Sequence, residues 1–474
     1  MTAPTTRSES HLLALLPRGE AIRNFVYSGA LDDAQRQLEV TVASVIPNDE
    51  VRRLLIERFG PIEELHDHEQ HRVPGVLRDA TDVAHGRWLW SEAAQERWRR
   101  RELEVRERGG RWKHVTRRAV MRPFANRRGL ALLDASYERA ARTWDVTDAD
   151  RLLIERVRPS LVFNGSHVHA ALATPIVVAA REAHVPTATF VFSWDNLTSQ
   201  GRIIPRYDAY LVWTDRARQQ LLDLYPTIDP MRVLVTGTPQ FDAHFDASLA
   251  WSRARYCDEV GLDPDRPIVL YSTGMPNHMP GEPEIVEQLA DRLDAVPVRP
   301  QLVVRVYAKD RSGRFDDVRA RRRDICFPHV AWDSKWLTPM PEDTAVWSNM
   351  LRHADVGINV ASTVSLELCM FDRPVVNVAY NPPSVPPSVL DYARYYRFDH
   401  YRPLTESGAI DIASSASEVV EFVQQALDAP TRLSSARHDL LERFFGDALD
   451  GRAGSRVASA LHRLATATPS TRAD

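Results

Sequence analysis

Two stretches of the chain gather groups capable of chemistry where an apolar run ends. In "NVASTVSLELCMFDRPVV", residues 359–376, Ala361, Ser362 and Thr363 close the run and Glu367 sits one turn further on. Small and hydroxylated residues opening a helix leave amide donors in its positive end-field, which suits a phosphate or diphosphate. A carboxylate one turn on can accept both hydroxyls of a ribose, so this loop can hold the two ends of a nucleoside diphosphate. The alternative makes Ser362 or Thr363 an N-cap and Glu367 an exposed helix residue. In "FVFSWDNLTSQG", residues 190–201, an indole, a carboxylate, an amide and two hydroxyls (Trp194, Asp195, Asn196, Thr198, Ser199) follow three core residues. An Asx-turn, in which Asp195 or Asn196 bonds its own backbone, is the structural alternative there.

Further polar residues stand in equivalent positions. His167 and His169 in "FNGSHVHAA" follow the preceding apolar run, and an imidazole is matched to proton abstraction near neutral pH. Their spacing of two resembles a metal pair on a strand, but no third ligand accompanies them, so no metal is assigned; either could instead bond a helix terminus. "LLPRGEAIRNFVYSG" places Arg18, Gly19, Glu20, Arg23 and Asn24 in the first turn of the chain.

The elements that would position these groups alternate. "HLLALL" and "LEVTVASVI" read as strands and "DEVRRLLIERF" as a helix with apolar residues at three-four spacing. From residue 140 the order is helix, strand "SLVFN", helix "ATPIVVAAREA", strand "TATFVF", strand "AYLVW", helix "DRARQQLLDLY" and strand "RVLVTG". A second series opens with "RPIVLYSTG" and continues through "EPEIVEQLADRL", "QLVVRVYA", "TAVWSNMLRHA", "VGINVA", "TVSLELCMF" and "PVVNVA". Such alternation predicts parallel sheets covered by helices. It divides the chain into a Rossmann-like domain over 1–241, a connection over 242–264, a second Rossmann-like domain over 265–450, and a helix and tail over 451–474. In open α/β sheets ligands sit outside the carboxyl ends of the strands, where all the loops above fall.

The bulk numbers exclude several classes. The 474 residues are 44% hydrophobic and 26% charged, with a formal charge of −4, which does not fit a general nucleic-acid binder. Three cysteines, Cys257, Cys326 and Cys369, are far apart and in no metal spacing, so they read as core thiols of a reducing compartment. No apolar run approaches the roughly 18 residues that would span a bilayer, and a cytoplasmic location is expected. Charge is local instead. Residues 97–128 hold thirteen Lys or Arg against three Glu, near Trp88, Trp90, Trp98 and Trp112, in a helical insertion over about 86–130. Basic residues mixed with tryptophan can hold a protein peripherally on the anionic inner face of a membrane or receive an anionic acceptor. A solvated insertion whose arginines pair with Glu102, Glu104 and Glu107 is the alternative.

"NVASTVSLELCMFDRPVVNV" resembles the nucleotide-binding segment of GT-B glycosyltransferases and their relatives, the non-hydrolysing UDP-N-acetylglucosamine 2-epimerases and the CDP-glycerol glycerophosphotransferases. "VLVTGTPQFD", "VLYSTG" and "FSWDNLTSQG" fit the same pattern, and the resemblance covers about residues 150 to 450. It implies an α/β GT-B fold, two Rossmann-like domains whose parallel sheets face a central cleft. It assigns Ser362 and Thr363 to diphosphate and Glu367 to ribose, and brings the turn at Thr273, Gly274 and His278 to the donor phosphates. Where relatives carry a His-Pro pair the chain has Tyr307 and Ala308, which leaves Arg305 and Lys309 as phosphate partners. Trp332 or Asp333 would flank the base.

In such a fold an inverting transferase needs a base for the acceptor hydroxyl. Asp195, His167 and Glu20 are the candidates, and the choice stays open. Trp194 offers a flat face to a sugar ring; Asn196, Thr198 and Ser199 are hydroxyl-binding or loop-ordering groups. Arg23 and Asn24 line the acceptor side, while Gly237, Thr238 and Gln240 face the cleft or form a hinge. The expected activity is metal-independent transfer of a sugar from a nucleotide diphosphate, with UDP the expected nucleotide, to a hydroxyl on an envelope glycan, a lipid-linked intermediate or a small molecule. A 2-epimerase, a CDP-glycerol-type glycerophosphotransferase and a non-catalytic nucleotide-binding scaffold are the alternatives. No cofactor is called for, and the absent glycine-rich dinucleotide fingerprint speaks against an NAD or FAD enzyme.

Overall fold

The computed structural model describes residues 10–67, 69–107, 111–168 and 171–467. The chain forms two compact units, Met1–Asp242 with Arg452–Asp474, and Ala243–Gly451.

The first unit is built on β1 (His11–Leu16), β2 (Glu39–Ser44), β3 (Glu63–Glu64), β4 (Leu161–Asn164), β5 (Thr187–Phe190), β6 (Ala209–Val212) and β7 (Val233–Val235). They lie in the order β3-β2-β1-β4-β5-β6-β7, every neighbouring pair parallel. The run "LLALL" is apolar at every position because helices cover both faces of a parallel sheet, and Leu12 to Leu16 are fully buried. Strand order reverses between β1 and β4, which makes the loops after them the place for a ligand.

Helix Asp49–Phe59 starts where Asn48 accepts a hydrogen bond from the Val51 amide at 2.9 Å. Helix Ala453–Thr466 buries Val457, Leu461 and Leu464, and it belongs to the first unit rather than forming the separate tail expected from 451. Its apolar stripe requires a face to cover, and the unit supplies one at β1 and helix Ala30–Gln35.

Between β3 and β4 the chain inserts helices Arg72–Leu89, Glu92–Glu107, Arg111–Met121, Arg127–Trp144 and Asp148–Val157. Helix therefore extends well beyond both ends of the basic stretch. A small core of Ala84, Leu130 and Leu133, with Trp88, Met121 and Phe124 against it, holds the insertion together.

The second unit has β8 (Ile268–Ser272), β9 (Gln301–Arg305), β10 (Ile325–Cys326), the antiparallel pair β11 (Trp332–Asp333) and β12 (Thr338–Pro339), β13 (Val356–Asn359), β14 (Val375–Val378) and β15 (Asp411–Ala413). Its main sheet runs β10-β9-β8-β13-β14-β15, again all parallel, and reverses between β8 and β13. From Ala243 onward the expected connection is part of this unit, including helix Arg253–Val260. Gly357 in β13 lets helix Val364–Met370 lie close, for a Cβ there would meet Leu368 Cδ1 at 2.1 Å. Among the described residues no helix is long and apolar enough to cross a membrane.

Candidate functional site

Helix Val364–Met370 follows β13 at the switch point of the second sheet and carries Glu367. One carboxylate oxygen, Oε2, is held from two directions, by His244 Nε2 at 3.0 Å and by the Trp347 indole N–H at 2.9 Å. His244 is buried and is fixed in turn through Nδ1, 3.2 Å from Ser348 Oγ. Oε1 carries no hydrogen bond among the described residues. An acceptor oxygen with its partner oxygen immobilised is what a hydroxyl-bearing ligand requires. The sequence supplied Glu367 but not His244 or Trp347, whose separations from it carry no local pattern.

The turn before this helix is strained and already hydrogen-bonded. Ala361 has φ +41°, a left-handed conformation that costs a residue with a Cβ about 1 kcal/mol or more. Its amide donates to Tyr396 Oη at 3.3 Å, and the Ser362 amide donates to Asn359 Oδ1 at 3.0 Å. The Val364 amide donates to Ser362 Oγ at 3.3 Å. The expected free amides are therefore engaged at 361, 362 and 364. Ser362 Oγ, half-buried and accepting one bond, keeps its own hydrogen to donate; Thr363, also half-buried, caps the helix without a side-chain bond to it. Beneath the turn Asn359, Ser365, Asn377 and Tyr401 form a buried network, with Tyr401 Oη donating to Asn377 Oδ1 at 2.6 Å.

The turn after β8 is occupied by the protein itself. The Gly274 amide donates to both oxygens of Glu282, at 3.0 and 2.9 Å, and Thr273 Oγ1 accepts from the Tyr307 amide at 2.8 Å. The Gly274 amide does not stand open to a phosphate as expected, and Thr273 is buried. Glu282 is fully buried and pairs with Arg314 at 2.9 Å; burial pushes its carboxyl up to about 7, against the pull of the Arg314 charge. Arg305 also departs from its expected role. Its guanidinium meets Asp343 at 2.7 and 2.8 Å and donates to the His329 carbonyl at 3.3 Å, because a buried cation needs an anion beside it. The Trp332 indole bonds the same Asp343 at 2.8 Å, and Asp333 receives the Lys335 amide in a local turn. His278 is stacked against Tyr395, and the Lys309 ammonium lies 5.7 Å over the Tyr307 ring.

In the first unit, His167 follows β4 at the switch point. Its Nδ1 is 3.2 Å from the Phe190 carbonyl and 3.2 Å from the Phe192 amide. With the proton on Nδ1 the ring donates to the Phe190 carbonyl and leaves Nε2 as a proton acceptor; with the proton on Nε2, Nδ1 instead accepts from the Phe192 amide. Nε2 has no hydrogen bond among the described residues. Burial pushes this imidazole down to about 4, so it is neutral at neutral pH. His169 lies outside the described residues.

Asp195 follows β5 and opens helix Asn196–Ser199. Its Oδ2 accepts from Ser199 Oγ at 2.5 Å and its Oδ1 from Asn196 Nδ2 at 3.4 Å, while Asn196 Oδ1 accepts from the Ser193 amide at 2.9 Å. Thr198 Oγ1 donates to the Asp195 carbonyl at 3.1 Å. The cluster thus orders its own turn, the local-bonding alternative. Trp194 is only 7% exposed, leaving little of it for a sugar ring.

Glu20 is buried beside Arg18, 2.8 Å away. Arg23 bonds Asn24 Oδ1 at 3.0 Å and Gln240 Oε1 at 2.8 Å, in a π-helical turn over Arg23–Tyr27. Asn24 Nδ2 and Thr238 Oγ1 are buried with no hydrogen-bond partner among the described residues. Gly237 takes φ +74°, the left-handed turn for which a glycine is suited.

No family model matches the chain, and no curated protein does either. Solved structures do. A UDP-GlcNAc 2-epimerase from Neisseria meningitidis, bound to UDP-GlcNAc, superposes with a TM-score of 0.53 at 10% identity, over 95% of this chain and 99% of its own. S. aureus MnaA in its complex with UDP gives 0.54 at 12% identity, over 96% of each chain. Another UDP-N-acetylglucosamine 2-epimerase gives 0.54 at 11%, over 97% of this chain and 96% of its own. Identities this low establish shared architecture and leave activity to the residues. Two Rossmann-like units with seven- and six-stranded parallel sheets, and these structural neighbours, give the chain the GT-B fold that the UDP-N-acetylglucosamine 2-epimerases also have.

Proposed function

We propose that this chain is an enzyme that takes a nucleotide diphosphate sugar as donor, with UDP as the nucleotide, and transfers the sugar to a hydroxyl acceptor. The observation that carries the donor reading is the Glu367 carboxylate, pinned at Oε2 by His244 and Trp347 and unbonded at Oε1. In this reading the ribose hydroxyls donate to Glu367, and the diphosphate meets the Ser362 and Thr363 hydroxyls rather than the engaged amides of the turn. The structural neighbours bound to UDP-GlcNAc and to UDP support the choice of nucleotide.

The transfer is a displacement at the anomeric carbon. The acceptor oxygen forms its bond there as the bond to the diphosphate breaks; the acceptor proton passes to a base and the negative charge leaves with the diphosphate. Of the three candidate bases, His167 is the one held through Nδ1 with its other ring nitrogen without a hydrogen bond among the described residues. Asp195 is tied into its own turn and Glu20 is held against Arg18.

The test is thermal stabilisation by UDP, CDP, GDP, ADP and TDP, beside Glu367→Ala. A ligand at 100 times its dissociation constant stabilises by about 2.7 kcal/mol. A shift with one diphosphate, lost in the variant, is expected; no shift with any of them at millimolar concentration would remove the donor reading. Conversion of UDP-N-acetylglucosamine to its C2 epimer without an acceptor would replace transfer by epimerisation.

A further inference from the structure

Among the described residues, the helical insertion of the first unit has one side that its own packing does not use. Helix Arg111–Met121 turns Arg117, Arg118 and Met121 toward the rest of the insertion. Arg117 pairs with Asp79 at 2.6 Å, Arg118 pairs with Glu102 and lies 4.2 Å over the Trp98 ring, and Met121 packs on the core of Ala84, Leu130 and Leu133. The opposite side, at the helical spacing 112, 115, 116, 119 and 120, is exposed and almost wholly apolar. Trp112 is 82% exposed, Val120 55% and Val115 46%. A helix on a water-facing surface normally presents polar residues there.

Charge completes the pattern. Arg122, Arg127 and Arg128 follow directly on the helix and are exposed, and among the described residues none has an acidic partner. They belong to the stretch with thirteen basic and three acidic residues. We propose that the Trp112, Val115 and Val120 face, with Arg122, Arg127 and Arg128 beside it, docks the protein on the surface of an anionic lipid bilayer. An indole and two valines fit the boundary between headgroups and acyl chains, where anionic headgroups supply the missing counter-charge. One face of an 11-residue helix is small for a stable protein interface, which takes roughly 800 Å² from each partner.

The insertion also touches the turn that carries Asp195. Ser91 Oγ donates to the Thr198 carbonyl at 2.8 Å, and Arg97 donates to the Ser199 carbonyl at 3.2 Å. The docking face thereby belongs to the helical layer packed on that turn. The proposal stands apart from the donor reading, and either can fail alone.

The experiment is co-sedimentation of the full chain with vesicles of phosphatidylcholine alone and of equal parts phosphatidylcholine and phosphatidylglycerol, at low and high salt. Binding to the anionic vesicles only, weakened by salt, is expected. Trp112→Ala should weaken it about tenfold. Arg122→Gln/Arg127→Gln/Arg128→Gln should weaken it about a hundredfold, from about fivefold for each charge near the surface. Both variants should keep the wild-type melting temperature, because the altered side chains are exposed. No sedimentation at low salt, or binding unchanged in either variant, would overturn the proposal. So would a dimer that forms without lipid and is lost in Trp112→Ala, which would give the face to a second copy of the chain.

Discussion

Glu367 Oε2 and His244 Nε2 lie 3.0 Å apart across 123 residues of sequence, and the Trp347 indole closes on the same oxygen. The carboxylate is therefore oriented before any ligand arrives. Removing one of two bonds to an anchored carboxylate lets it rotate, at about 1.5 to 3 kcal/mol for a bond to a charged group. We expect His244→Gln to weaken UDP binding about tenfold and Glu367→Ala to abolish it, with the first unit unaffected. Isothermal titration of both variants checks this; equal affinity in His244→Gln and wild type would mean the imidazole does not orient the carboxylate.

Gly357 sets the distance between β13 and the helix that bears Glu367. A Cβ at 357 would lie 2.1 Å from Leu368 Cδ1 and 2.7 Å from its Cδ2. Overpacking of this kind costs about 1 to 3 kcal/mol, relieved either by the Leu368 side chain turning aside or by the helix moving outward. Gly357→Ala should lower the melting temperature and weaken UDP binding together. If the melting temperature falls and the affinity does not, the helix absorbs the methyl without moving Glu367.

The Arg305–Asp343 pair is a buried charge pair, and its halves are unequal to the whole. Asp343→Asn leaves a buried guanidinium without its anion and should cost about 3 to 5 kcal/mol. Arg305→Met/Asp343→Leu removes both charges and should recover most of that. Melting curves of the two variants decide the matter; a double variant no better than the single would assign the loss to packing, the Arg305 guanidinium lying 5.7 Å over the Trp347 ring.

His167 makes stability depend on pH in a stated direction. Its ordinary value of 6.5 applies to the unfolded chain, and burial lowers the folded value to about 4. Below 6.5 the unfolded chain takes up a proton that the folded chain refuses. The contribution is thus complete above 6.5 and lost as the pH falls toward 4, at most about 3 kcal/mol. His85, pushed down to about 3 by burial, acts in the same direction. Glu282, raised to about 7, acts oppositely: its contribution is lost as pH rises through that value. Both remain in His167→Gln, so the difference between variant and wild type isolates one imidazole. That difference should shift in the variant's favour on acidification from 6.5 to 4; a constant difference would show that the imidazole is not buried neutral.

Much of the architecture was legible because buried parallel strands are short unbroken apolar runs. "LLALL", "LVFN", "IVLYS" and "VGIN" could be read directly, and each ends at a loop that holds a candidate residue. Glu367 was legible because its chemistry lies within one local segment. What holds it was not, since His244 and Trp347 arrive from elsewhere in the chain. Arg305 was misread for the same reason: a lone arginine after a strand looks open to phosphate until Asp343, 38 residues away, is placed beside it. Likewise Gly274 looked like an open amide until Glu282 folded back onto it. At Asp195 the neighbours in sequence are also the hydrogen-bond partners in space, so the local-bonding alternative is legible from the segment alone.

Helix Ala453–Thr466 gives the molecule an order of assembly. Most of the first unit precedes the second in sequence, yet Val457, Leu461 and Leu464 complete its core. On a ribosome adding about 5 to 20 residues per second, the second unit emerges whole while the first waits on the order of ten to forty seconds for its last helix. During that interval the apolar side of helix Ala30–Gln35 and the β1 layer lie uncovered in a nascent protein. The unit that is entered first is finished last.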